Sequence, residues 1–119
     1  MDSTAAVAAL LRAIVPRTQA SGPGLRLPPD PPIPYVRFQV MPGPATGPVR
    51  PLTVAVQAYA YDDATASDIT ERMWRYLDGQ ETDELTSVSG LTPPAPHPDP
   101  DYPDVRRWQL TCQAVHVTY

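Results

Sequence analysis

The chain of 119 residues has no lysine, one cysteine, one phenylalanine and no long apolar run, and each shortage removes a class of function. Cys112 alone cannot form an internal disulfide and has no second thiolate for a metal site, so it reads as a small buried residue of a strand. Nine arginines carry the basic side-chain charge and are scattered; only Arg106 and Arg107 are adjacent, and Arg72 and Arg75 share a helical face. Nucleic-acid binding by counterion release needs several cations on one face, and the net charge is -4, so specific DNA or RNA binding is not expected. No segment approaches the roughly 20 apolar residues of a membrane helix. Met1, Asp2 and Ser3 lack the positive start of a signal peptide, and the expectation is a soluble protein made inside the cell, without a membrane partner. A phosphate-binding glycine loop is also missing. The glycines of "SGPGL" and "MPGPATGP" alternate with prolines, which remove the donor amides such a cradle needs.

Proline is what the chain has in excess, with 17 residues. It concentrates in three connectors, 22–34 ("GPGLRLPPDPPIP"), 41–51 ("MPGPATGPVRP") and 92–104 ("TPPAPHPDPDYPD"). Structureless loops beyond about 12 residues are uncommon in a compact domain. Proline lowers the entropy of the unordered state, so laying such a segment along a partner costs less than ordering a flexible one. These connectors are therefore expected to dock on a neighbouring subunit.

Between the connectors lie clear periodic segments. Residues 2–15 place Val7, Leu10, Leu11 and Ile14 on one helical stripe, with Asp2 or Ser3 as cap and Pro16 as the stop. Residues 35–40 alternate as a half-buried strand, the first arm of a hairpin. "LTVAVQAYAYDD" (52–63) is the second arm, and its two faces differ. Leu52, Val54, Val56, Ala58 and Ala60 suit a core. Thr53, Ala55, Gln57, Tyr59 and Tyr61 form a face too aromatic for plain solvent and too polar for a second core.

A second helix follows, with Thr65 as expected cap and Ile69, Met73, Tyr76 and Leu77 as its buried stripe. Glu71 and Arg75 pair along it, and Gly79 supplies the left-handed stop. Trp74 lies beside the stripe, at the edge of the core or against a partner. A weaker strand over 84–92 precedes the final one, 106–117, where Trp108, Leu110, Cys112 and Ala114 group together, but Val115, Val117 and Tyr119 group on the other phase. A bulge near Ala114, or a strand end covered on both faces, accounts for that slip. The expected architecture is one α+β domain over 1–119. It has a mainly antiparallel four-stranded sheet with two helices on one face, in the order αββαββ, and long Pro-rich loops.

Candidate chemistry is sparse. His97, Asp99, Asp101 and Asp104 sit close together, but their spacing matches no calcium loop, and an acidic solvated linker is the simpler reading. His116, the other histidine, has no serine or cysteine nucleophile evidently paired to it and reads as a structural residue at a sheet end. No enzyme activity, metal or cofactor is expected.

The order of motifs is more informative. "IPYVRFQVMPG", then "PLTVAVQAYAYDDATASDITERMWRYLDG", then "PDPDYPDVRRWQLTCQAVHV" resembles the tail terminator (tail completion) proteins of long-tailed bacteriophages. The resemblance falls on 34–40, 52–79 and 106–117 and consists of hydrophobic patterns without a catalytic residue. It implies a homo-oligomeric ring, usually a hexamer, that caps the tail tube, stops its growth and joins the tail to the head connector protein. The partners would be the chain itself, the tail tube protein and the connector, with DNA passing through without specific binding. The location would be the virion tail or neck, after assembly in the host cytoplasm. On that reading Arg50, Gln57, Tyr59 and Tyr61 are the expected subunit or tube contacts, because Tyr and Arg dominate interface energetics; a second helix or loop of the same subunit covering the outer face of that strand is the alternative. Two other readings stand beside it. The chain could be another head–tail neck protein, for head completion or as a stopper, or a monomeric ligand-binding α+β domain.

Overall fold

A computed structural model describes residues 2–86 and 88–117. Helix α1 (Ser3–Ile14) is capped by Asp2, whose carboxylate accepts from the Ala5 N–H at 2.7 Å. A 3-10 turn (Val15–Thr18) carrying Pro16 ends it. Strands β1 (Ser21–Gly24), β2 (Tyr35–Pro42) and β3 (Val49–Ala60) follow, then helix α2 (Asp63–Leu77), β4 (Ala95–Pro96) and β5 (Arg106–Val117). The sheet order is β1-β2-β3-β5-β4; β1 runs parallel to β2 and the other pairs are antiparallel.

The α+β class and the two helices on one face agree with the expectation, but the sheet is five-stranded and mixed rather than four-stranded. The first difference is β1, formed inside the proline connector 22–34. Its approach to β2 requires glycine: Gly22 has φ 101°, and a Cβ there would collide with the Val36 carbonyl. The second is segment 84–92, whose described residues meet β5 through the isolated bridges Leu85↔His116 and Ser89↔Gln113 and scattered backbone bonds such as Thr86 N–H to Val115 O and Thr92 N–H to Thr111 O. Val88 turns the other way, donating to Gln80 O and accepting from Gly79 N–H, so no continuous ladder forms. The third is β4, two residues of connector 92–104 at the sheet edge, where a proline without a donor is tolerated.

The inner face of the sheet and both helices share one core. Val36 and Phe38 of β2, Leu52, Val54, Val56 and Ala58 of β3, and Leu110, Cys112 and Ala114 of β5 meet Val7, Leu10, Leu11 and Ile14 of α1 and Ile69, Met73 and Leu77 of α2. Burying such a side chain stabilises by roughly 1.5–3 kcal/mol, which is why the period-2 and period-3.6 stripes decide the layers. Tyr76 is half-buried, with the Arg17 guanidinium 4.0 Å above its ring. Helix α2 begins three residues earlier than a Thr65 cap implies. Its cap is Asp62, whose carboxylate accepts from Thr65 N–H at 2.7 Å, so Thr65 is the capped residue and not the cap. The extended backbone of Asp62, straight after the β3 end, leaves its side chain where a cap belongs. Gly79 stops the helix region at φ 75°, and Glu71 pairs with Arg75 at 3.9 Å.

Strand β5 has no bulge. Its register with β3 is unbroken from Val49↔Val117 to Ala60↔Arg106. The inward phase continues through Ala114 to His116, which is 2% exposed, while Val115 and Val117 are half-buried on the outer face. The histidine, not a slipped apolar residue, occupies the last inward position. Tyr119, grouped with those valines by sequence, lies outside the described residues.

Candidate functional site

The outer face of the sheet is built by β2, β3 and β5, and strand register arranges its side chains in rows. The first row is Tyr35, Tyr59 and Arg107; the second is Arg37, Gln57 and Gln109. Two more follow toward the hairpin tip: Gln39, Ala55 and Thr111, then Met41, Thr53 and Gln113.

The first two rows are roofed by the chain itself. Tyr59 is fully buried: its hydroxyl donates to Asp99 Oδ2 at 2.7 Å, and Tyr102 stands edge-on to its ring with centroids 6.1 Å apart. Arg107 fastens the same loop. Its Nη1 donates to Tyr59 Oη at 3.1 Å and to Asp99 Oδ2 at 3.3 Å, its Nε to His97 O at 2.6 Å and its Nη2 to Pro98 O at 3.3 Å. The Arg107–Asp99 pair is 10% exposed on each side, so solvent screens it little. In the second row Arg37 Nη1 donates to Gln57 Oε1 at 3.3 Å, and Gln57 Nε2 donates to Gln109 Oε1 at 2.7 Å. Arg37 Nε also holds the first connector by donating to Leu25 O at 3.0 Å.

The local electrostatics follow from this geometry. Burial, reinforced by the hydrogen bond to Asp99, pushes the Tyr59 phenol above its ordinary 10.0. Burial opposes ionisation of Asp99, but hydrogen bonds from the Tyr59 hydroxyl and the Asp101 N–H, with the charge of Arg107, hold it below its ordinary 3.8. Tyr59 is therefore a neutral donor and Asp99 an ionised acceptor across the neutral range. The pair clamps a loop and carries no activated nucleophile.

The four sequence-predicted contacts thus separate. Both Gln57 and Tyr59 are buried within their own chain, Tyr59 against the loop 97–104 and Gln57 between the side chains of Arg37 and Gln109. Tyr61, beyond the strand end, is 71% exposed, and Arg50 is exposed near the hairpin tip at the other end of β3. The structure does not bring the four together. Segment 97–104 is only in part the expected solvated acidic linker: His97, Asp101 and Asp104 are exposed, while Asp99 is spent on Tyr59 and Arg107. Among the described residues no three His, Cys, Asp or Glu side chains gather to hold a metal ion.

The remaining rows are bare. Gln39 and Gln113 are exposed, Met41 is 52% exposed, and Thr53 and Thr111 are half-buried. A groove of about 340 Å³ runs here, lined by Met41, Pro51, Thr53, Thr86, Gln113 and Val115 among others. Beside it rises the β2–β3 hairpin, whose expected eleven-residue loop narrows to the tip 43–48. Thr46 and Val49 exchange hydrogen bonds of 2.8 and 3.1 Å, and Gly47 at φ 59° makes the turn.

Sequence reasoning missed one polar contact altogether. Ser3 Oγ lies 2.8 Å from His116 Nδ1, across 113 positions, and Glu84 Oε2 lies 4.0 Å from His116 Nε2. The second distance exceeds hydrogen-bond reach, so the three do not form a catalytic relay. They tie the start of α1 to the end of β5. Asp99, Tyr102 and Gln109 were also missed as site residues; the alternation of 106–113 carries the signal for Arg107 and Gln109, which lie opposite Trp108, Leu110 and Cys112.

These features define an α+β domain whose sheet has a self-sealed half and an open half, with no assembled catalytic constellation among the described residues. Neither a protein-family model nor a curated protein sequence matches the chain. No helix among the described residues is long and apolar enough to cross a membrane.

Proposed function

We propose that the protein is a tail terminator, a ring-forming virion component that caps the tail tube of a long-tailed bacteriophage and joins the tail to the head connector. The reading rests on the sequence resemblance over 34–40, 52–79 and 106–117. Those segments correspond to β2, β3 with α2, and β5, which are the framework of the fold rather than its loops. The observation that carries it furthest is the open half of the sheet beside the exposed hairpin, an unsealed surface on an otherwise self-covered face.

On this reading the open half and the hairpin tip make the subunit and tube contacts; Arg50, exposed beside the tip on the helix side of the sheet, and Tyr61, exposed beyond the sealed end, would serve separate contacts, since exposed Tyr and Arg concentrate interface energy. Tyr59 acts indirectly, by holding the loop 97–104, and Gln57 by linking Arg37 of β2 to Gln109 of β5. The acidic balance suits a conduit for DNA. Three arginines are also paired with carboxylates, Arg72 with Asp68 at 3.2 Å, Arg75 with Glu71 and Arg107 with Asp99, which removes cations that would hold a phosphate backbone.

The test is native mass spectrometry over a range of protein concentration, with and without Mg²⁺, repeated with purified tail tubes. A hexamer, or a cap of fixed stoichiometry at one tube end, is expected. Binding to the head connector without binding to tubes would reassign the chain to another neck position. A monomer under every condition, tubes included, would overturn the reading.

A further inference from the structure

The groove on the open half and the hairpin tip share one property, neutrality. No residue lining the groove is charged, and none of residues 41–49 is charged, in a chain with nine basic and thirteen acidic side chains. We propose that the hairpin tip of one copy, residues 43–48, seats in this groove of a second copy. The inference rests on the ring reading and specifies its contact.

Neutrality on both sides is the first argument. Burying the tip in the groove strips water from no ionised group, so the large desolvation cost of a buried charge does not arise. A charged segment of this chain, such as 97–107, would meet no counter-charge there. Hydrogen-bond chemistry is the second argument. The tip "GPATGP" is poor in N–H donors but rich in carbonyl acceptors, while Thr53, Thr86 and Gln113 offer side-chain donors along the groove.

Preorganisation is the third. The Thr46–Val49 exchange, the 2.8 Å bond from Gly43 N–H to Pro51 O, and four prolines between positions 42 and 51 fix the tip before docking. Residues 44–50 are nevertheless all exposed, and Val49 and Met41 present apolar surface with no cover of their own. Knob and groove are different patches of one chain, so the contact is head-to-tail, and repetition closes a ring when the rotation permits.

Cross-linking between differently tagged copies tests this. Cys112 is buried and its thiol is pushed up to about 11, so it stays silent toward maleimides at neutral pH. Ala45→Cys on one tagged copy and Ser89→Cys, at the groove, on another are exposed changes that leave the core intact. Mixed and treated with a short bismaleimide, they should give hetero-tagged pairs at least about ten-fold above an Ala45→Cys with Glu71→Cys control, because docking raises the local thiol concentration. A hexamer by native mass spectrometry without that excess overturns the tip-in-groove contact and leaves the ring reading standing. Cross-linked pairs that are only closed dimers, with tubes present, support the contact and overturn the ring. Neither oligomer nor cross-link overturns both.

Discussion

At the Tyr35 end of the outer sheet face, two rows of side chains lie under the loop 97–104 and the 25–27 connector; at the Met41 end, the same three strands leave their rows bare. Backbone geometry is continuous across both halves, since the β3–β5 register runs unbroken through twelve pairs. The difference is made by one loop and the side chains that hold it. Tyr59 and Arg107 give Asp99 a donor and a counter-charge, whereas Thr53 and Gln113 meet no such partner from their own chain. A polar sheet face is thus sealed where a loop of complementary chemistry can reach it, and stays available for another molecule where none does.

The two halves should respond to mutation in opposite ways. Tyr59→Ala removes a fully buried aromatic and is expected to cost about 3–5 kcal/mol in urea denaturation, with assembly lost only as a consequence of unfolding. If it costs nothing, the roof is not part of the folded core. Asp99→Asn should cost about 2 kcal/mol, because it weakens charge-assisted bonds to Tyr59 and Arg107 while leaving the rest of the strap in place. Proteolysis within 97–104 should become faster in that variant, and unchanged protection would argue against the clamp.

The clamp also has a pH window. The Asp99 carboxyl is lowered in the folded state, so its stabilisation is full above the ordinary 3.8 and is lost as pH falls through the folded value. The Tyr59 phenol is raised, so its contribution is full below 10.0 and is lost as pH rises through its higher folded value. Hydrogen exchange of amides in the loop 97–104 should therefore rise at both extremes, and Asp99→Asn should abolish the acid limb and weaken the alkaline one, which burial of Tyr59 still sustains. The smallest stability effect belongs to the open half. Met41→Ser with Gln113→Ala should change monomer stability by less than about 0.5 kcal/mol per site, as exposed substitutions do, while reducing the oligomeric fraction in native mass spectrometry. A large stability loss with intact assembly would reverse the assignment of the halves.

Much of this was legible in the linear chain because it depends on short periods. The stripe of α1, the stripe of α2, the alternation of 52–60 and the hairpin each follow from neighbours within a few residues, and burial of those stripes against one another fixes the α+β layering. The α2 cap was misplaced by three residues because Asp62 and Thr65 both suit the role locally, and the strand exit decided between them. The candidate surface was half legible. Alternation found the unusual face of β3, but the loop over Tyr59 lies 40 residues further on, and the partners of Gln57 lie 20 residues before it and 52 after it.

The sequence by itself determined the inward stripes of both helices and of residues 52–60, and the scatter of the nine arginines along the chain, all of which follow from spacing and composition. Only the tertiary structure decided that Ser21–Gly24 becomes a parallel edge strand, that His116 meets Ser3, and that the loop 97–104 folds back over Tyr59 instead of reaching outward. Those outcomes depend on groups brought together from distant positions, whose hydrogen bonds and charges form only once the sheet register has been set.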